Sequence, residues 1–400
     1  MLTSIQISNT EFKNRGNILL ESIHSQKLSG SVLFSSDYIL YYTGFAFIPT
    51  ERPVAFLQNS RGEKALFVPR MEYEHAQVRV TADVIDRVDY YLEYPYSPHP
   101  MEILKKTLTD MGMVEKFGVD NDGYPWIMGY RGPSMSELMG SQPQVLTTFI
   151  EDQMMIKSPA ELALIRESVK WGNYAHTLLQ RYTRPGKTET EVSLRASNEA
   201  TLTMIDTIGP IYQALSPFST GVSAGYRGQI GRNAAIPHAL ANNITFQTGD
   251  VLVSGAGAPV WGYNSELERT MIIGPATVKQ KRMFASMLDL QEIALQALRP
   301  GQRCFDVDRE VRSYYEAHNL MPYWKHHSGH AIGLRYHEGP FLDIGDETVL
   351  KPGMVFTVEP GLYVPEIGGF RHSDTVAVTE DGIEIMTYYP RDLANLTIPV

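Results

Sequence analysis

Glu266 and Glu268 stand two residues apart within Gly249–Gly274, a stretch that reads as a strand, a Gly-rich bend at Gly255–Gly262 and a second strand. Side chains two apart on a strand share a face, so Asn264, Glu266 and Glu268 look the same way. Two neighbouring carboxylates are costly to bury unless they meet a metal ion, a cationic group or a proton. Other groups with chemistry gather nearby in sequence. His238 precedes the first strand, and His326, His327, His330 and His337 fall in Lys325–Glu338. Glu359 lies in Val358-Glu359-Pro360, and Arg371, His372, Ser373 and Asp374 share a last strand. A lone His or Glu of this kind is more often structural. So many, on separate strands of one region, point to a site. The chemistry on offer is proton transfer at imidazoles, cation binding at carboxylates and carboxylate clamping by arginine.

The elements that must position these groups divide into two expected domains, residues 1–150 and 151–400. In the first, 31–35, 39–43, 54–58, 64–68 and 117–120 read as strands, and 12–26 and 100–111 as helices. Arg52 lies in the loop Pro49–Pro53. The second domain opens with Ser158–Glu161, a capping box with Pro at the first helical position. Helical spacing continues to about Tyr182 and is ended by Arg184-Pro185-Gly186. A second RPG, Arg299-Pro300-Gly301, follows another long helical pattern over 277–298. The repeat suggests a duplicated α/β unit with a pseudo-twofold axis. Strands expected at 250–254, 266–273, 325–332, 354–363 and 369–379 fit a curved antiparallel sheet, so the fold class is α/β, or α+β.

Bulk composition narrows the partners. The net charge of −10 argues against nucleic acid and against an anionic membrane surface. No stretch suits a signal peptide or a membrane span. A single cysteine, Cys304, excludes an internal disulfide, and a cytoplasmic location is expected. Cys304 opens a helical pattern with no basic cluster beside it in sequence, which argues against a nucleophilic role.

Four segments resemble the signature strands of the pita-bread family of methionine aminopeptidase, aminopeptidase P, prolidase and creatinase: GYNSELERT, HHSGHAIGLRYHEGP, GMVFTVEPGLY and GGFRHSDTVAVTEDG. Tyr42–Phe45, Arg52-Pro53 and Lys157–Ile165 resemble the N-terminal domain and linker of prolidase and creatinase. The family's metallopeptidases hold two metals with Asp, Asp, His, Glu and Glu. Matched one by one, these fall on Gly255, Glu266, His330, Glu359 and Ser373. Two positions lack a carboxylate, so the resemblance implies no two-metal site. A single divalent ion on Glu266, His330 and Glu359 is the alternative.

The site pattern is most similar to creatinase, whose His falls on His238 and whose two Glu fall on Glu268 and Glu359. That similarity implies a metal-independent hydrolase, with no cofactor, cleaving a C–N bond in a small, nitrogen-rich, carboxylated substrate. Glu268 and Glu359 would then hold a cationic substrate, His238 would shuttle protons, and His330 and His337 would orient the reacting centre. Glu266, His326, Arg335, Arg371 and Arg52 are the expected substrate contacts, Arg52 reaching in from the partner of a homodimer. Two readings stand beside it. One is a metal-dependent Xaa-Pro dipeptidase or aminopeptidase with a reduced site; the other is a non-catalytic binding protein. The segment 326–340 is closer to the peptidases, and Glu266 has no counterpart in creatinase.

Overall fold

The computed structural model describes residues 5–217 and 219–400. Its contacts separate two units, Ile7–Met154 and Met155–Val400, the latter joined by residues 5 and 6. The first holds a six-stranded sheet ordered 87–91, 64–69, 55–59, 30–33, 118–119 and 144–145. Helices Asn9–Ser25 and Pro100–Asp110 belong to the same unit, as expected. One expected strand is a helix instead. Ser36–Thr43 is helical, entered from Ser35 in extended backbone, carrying Asp37 in its first turn and closed by Gly44 at φ +75°. These end signals outweigh the β-favouring side chains between them.

In the second unit, helix Pro159–Tyr182 starts at the Ser158–Glu161 capping box. It pairs with helix Glu189–Ile208. Val278–Ala297 and Cys304–Ala317 form the second such pair. Both joints turn through a left-handed glycine, Gly186 and Gly301, each at φ +85°. Both then make a lone antiparallel bridge two residues later, Thr188 to Thr245 and Arg303 to Val349. The repeated RPG thus marks two copies of one helix–turn–helix arrangement.

Two sheets lie among these helices. One has four strands, ordered 397–398, 267–273, 251–257 and 223–225; the other has five, ordered 338–342, 329–331, 355–358, 374–378 and 383–385. A hairpin of 361–364 and 368–371 completes the set. The Glu268–Ser373 bridge, with both backbone bonds at 3.0 Å, ties the sheets together. Beside it Arg269, fully buried, spends every N–H. It donates to Asp374, to the carbonyls of Glu268 and Ser373, and to those of Tyr389 and Pro390. Asp374 also accepts from Gln291 and Thr387. Nearby, two buried histidines are poorly partnered. His176 has Nε2 2.6 Å from Ser254 Oγ and an unpaired Nδ1, and His372 has neither nitrogen paired. Among the described residues no helix is long and apolar enough to cross a membrane.

Candidate active site

The bend between the two long strands is a two-residue turn in which Trp261 and Gly262 both take positive φ, flanked by the Val260–Tyr263 bridge. It returns the chain so that Gly255 lies opposite Glu268. Asn264 is a structural member of this turn, since its amide donates to the carbonyls of Gly262, Gly333 and Leu334. Glu266 and Glu268 both line a cavity of ≈ 340 Å³, together with Arg227, Tyr336, His337, Gly255 and Gly257.

Ligand atoms of Glu266, His330 and Glu359 lie within 4.8 Å of one another. His330 comes from strand Gly329–Ala331, and Glu359 follows strand Val355–Val358. His330 Nδ1 sits 3.0 Å from the Ala331 carbonyl, which can only accept, so the proton is on Nδ1. In the neutral ring the lone pair is then on Nε2. That atom is buried, lies 3.2 Å from Glu359 Oε1, and has no hydrogen bond of acceptable geometry. A backbone-anchored Nδ1 with a free inward Nε2 is the usual state of a metal-binding histidine. The Glu266 carboxylate accepts from Ser373 Oγ at 2.7 Å. Burial, with Glu359 and Glu268 nearby, pushes the Glu266 carboxyl up to about 7. Burial also disfavours charge on Glu359, but His330 and Arg371 outweigh it and hold that carboxyl far below its usual range. The same Glu359, with Glu266, lifts His330 to about 9 against the effect of burial. This set lacks one positive charge, which a proton or a metal ion supplies.

Glu268 is differently placed. Its Oε2 is 2.5 Å from Arg371 Nε and its Oε1 2.5 Å from Arg227 Nη2. Arg371 also lies 3.6 Å from Glu359 and donates to the Tyr363 hydroxyl at 2.8 Å. The Tyr363 hydroxyl is 2.7 Å from His326 Nε2, whose other nitrogen faces the His327 carbonyl. The hydroxyl therefore accepts from Arg371 and donates to His326. His326 thus supports Tyr363 from behind. His337 stacks on His330 with ring centroids 3.9 Å apart. Burial and the charge of His330 lower it to about 4, and His238, exposed, adds to the lowering. Arg335 anchors its own turn through a backbone bond to Glu338, whose carboxylate also holds Lys157 at 2.7 Å. Arg52 belongs to the N-terminal unit, where Glu51 and Glu93 bind it. Cys304 is buried at its helix start, and burial pushes its thiol up to about 12, unsuited to nucleophilic attack.

Residues 163–380 match Metallopeptidase family M24, and residues 15–132 match the Creatinase/Prolidase N-terminal domain. The chain belongs to metallopeptidase family M24. This M24 chain is 30% identical to the Xaa-Pro dipeptidase of Pyrococcus furiosus over 333 residues, 83% of this chain and 86% of the relative. It is 28% identical to the putative dipeptidase YkvY of Bacillus subtilis over 92% of this chain and 96% of the relative. Its fold matches the prolidase from Pyrococcus horikoshii OT3 with a TM-score of 0.78, at 26% identity, covering 95% and 99% of the two chains. As a member it is a hydrolase acting on C–N bonds, as expected. The metal-free, creatinase-like reading is corrected by these relatives, which are Xaa-Pro dipeptidases and prolidases. Geometry supplies the physical reason. A free Glu268 would need a cationic substrate, but Arg371 and Arg227 already neutralise it. The expectation of no cofactor loses its support with that reading, since the family is one of metallopeptidases and Glu266, His330 and Glu359 form a group that could hold a metal ion.

Among the described residues one group could hold an ion, that of Glu266, His330 and Glu359. Gly255 offers no ligand atom, Ser373 is committed to Glu266, and the Arg371 guanidinium stands beside Glu359 and Glu268. Sequence reasoning missed Arg227 and Tyr363. Arg227 carried no motif; its signal is the Arg227-Gly228 pair, a turn dipeptide preceding a functional strand.

Proposed function

We propose that this chain is a metal-dependent peptide hydrolase of the Xaa-Pro dipeptidase type, working with one divalent ion held by Glu266, His330 and Glu359. The observation that carries the reading is His330, anchored through Nδ1, with its buried Nε2 grouped with carboxylate oxygens of Glu266 and Glu359 within 4.8 Å. A bound ion would polarise the scissile carbonyl and acidify a water. The protein's own groups do the rest. Arg371 keeps Glu359 ionised and fixed, and Ser373 orients Glu266. His337, held neutral, offers a ring nitrogen at the cavity wall that would take a proton from the attacking water and pass it to the leaving proline nitrogen. Tyr363 and His326 prevent Arg371 from turning toward solvent.

The test is metal analysis of chelator-stripped protein after reconstitution with Mn²⁺, Co²⁺ or Zn²⁺, with hydrolysis of Ala-Pro followed in parallel. One ion per chain with metal-restored cleavage is expected. Two ions per chain would overturn the single-ion site, and cleavage undiminished by stripping would overturn metal dependence.

A further inference from the structure

We propose that Arg227 recognises a carboxylate of the substrate in the recess that it shares with Tyr336. The inference rests on the peptide-hydrolase reading and extends it to what the substrate must carry.

Arg227 is the one arginine or lysine among the residues lining the cavity, and its side chain is 53% exposed while Glu268 beneath it is 3% exposed. Glu268 lies between two guanidiniums, those of Arg371 and Arg227. Arg371, buried and shared with Glu359, cannot turn to a ligand. Arg227 can. A guanidinium has five N–H donors, and among the described residues Arg227 gives bonds only from Nη2, to Glu268 and, at 3.4 Å, to Gln229. Held on one side by a carboxylate, the fork is pre-aimed for a second one.

The backbone is arranged around this placement. Arg227 takes φ +52°, a left-handed conformation unfavourable for a side chain with a Cβ. Gly228 follows at φ +76°, and a Cβ there would lie 2.1 Å from the Leu240 carbonyl oxygen. The turn is held by Glu189, fully buried, whose carboxylate accepts from Gly228 N at 2.7 Å and Asn242 N at 2.5 Å. Strain held in place by a buried anion marks a functional position rather than a surface loop.

The recess itself is open because its floor is small. Ala224, Gly225, Gly255, Ala256 and Gly257 line it, and a Cβ at Gly257 would lie 2.5 Å from the Ser265 carbonyl oxygen and 3.5 Å from the Tyr336 hydroxyl. Its volume of ≈ 340 Å³ sits at the lower end of the range for small-molecule sites. Glu266 and Glu268 line the same space, so a dianion such as phosphate is disfavoured and a single carboxylate suits it. That carboxylate belongs either to the C-terminus of a dipeptide or to an acidic side chain.

The experiment uses the full chain, wild type, Arg227→Met and Arg227→Lys, with the metal that restores activity. kcat/KM is measured on Ala-Pro, Ala-Pro-amide and Glu-Pro-amide. Wild type should favour a carboxylate-bearing substrate over Ala-Pro-amide, and Arg227→Met should shrink that preference about 10- to 100-fold. Arg227→Lys should keep part of it. Preference for Ala-Pro assigns the terminal carboxylate; preference for Glu-Pro-amide assigns the side chain. The same preference in Arg227→Met as in wild type would overturn the proposal while leaving the hydrolase reading intact. Calorimetry with the same three peptides covers an enzyme that cleaves none of them. Carboxylate-dependent binding weakened at least about 10-fold in Arg227→Met upholds the recess and removes the peptidase reading. Equal binding of acid and amide overturns the recess.

Discussion

His176 offers a test of the fold that is independent of catalysis. It is fully buried beneath strand Val251–Gly257, with Tyr389, Arg269 and His372 as its polar neighbours. Burial first, and the charge of Arg269 second, push its imidazole down from 6.5 to about 3. The unfolded chain therefore binds a proton at this residue over a range where the folded chain does not. Stability from neutral His176 is complete above about pH 6.5 and is lost as the pH falls toward 3. At pH 5 the gap is one and a half units, or about 2 kcal/mol at ~1.4 kcal/mol per unit. His176→Gln keeps an N–H near Ser254 Oγ and removes the titration. Urea unfolding followed by tryptophan fluorescence, with buried Trp171 on the same helix as reporter, measures the effect. Between pH 7.5 and pH 5, wild type should lose about 2 kcal/mol more than the variant. An equal loss in both would refute the assignment of acid lability to this buried imidazole.

Three further outcomes follow from geometry already described. Arg269→Ala leaves Asp374 charged and buried without its partner, and should cost about 3–5 kcal/mol in chemical denaturation; a loss below 1 kcal/mol would show that Asp374 takes up a proton or water instead. Glu189→Ala strips acceptors from the N–H groups of Gly228, Asn242 and Ile244. Hydrogen exchange over 226–244 should accelerate at least about tenfold, while exchange in strand Leu267–Ile273 stays slow. His330→Ala should reduce bound metal below 0.1 per chain at about micromolar ion, a result read by elemental analysis without any assay of activity; full retention would move the ion elsewhere.

Much of this was readable from local signals. The Ser158–Glu161 capping box, the two RPG turns and the alternating strands each specify structure through neighbours within a few residues. The helix Ser36–Thr43 was misread because its tyrosines and isoleucine favour strands, whereas its end signals at Ser35 and Gly44 decide. The metal set Glu266, His330 and Glu359 could be named from the resemblance, yet its rank below a metal-free site turned on Glu268. That residue was misjudged because its partners are distant in sequence, 41 residues away at Arg227 and 103 at Arg371. No periodicity or spacing rule reaches that far. Arg227 was invisible for the same reason: its role depends on a left-handed turn fastened by Glu189, 39 residues earlier than the N–H that it holds.

The pairing of Glu268 with two arginines also limits which substitutions the site accepts. A Cβ at Gly255 would meet Glu268 Oε1 at 3.5 Å, so there is room there for a longer side chain. An aspartate placed at that position alone would set a further carboxylate against Glu268, repelled by it and competing for the same guanidiniums. Removing Glu268 alone would strand two positive charges, one of them fully buried. Either step by itself passes through a poorer protein. A second carboxylate ligand built on Gly255 therefore requires both changes at once.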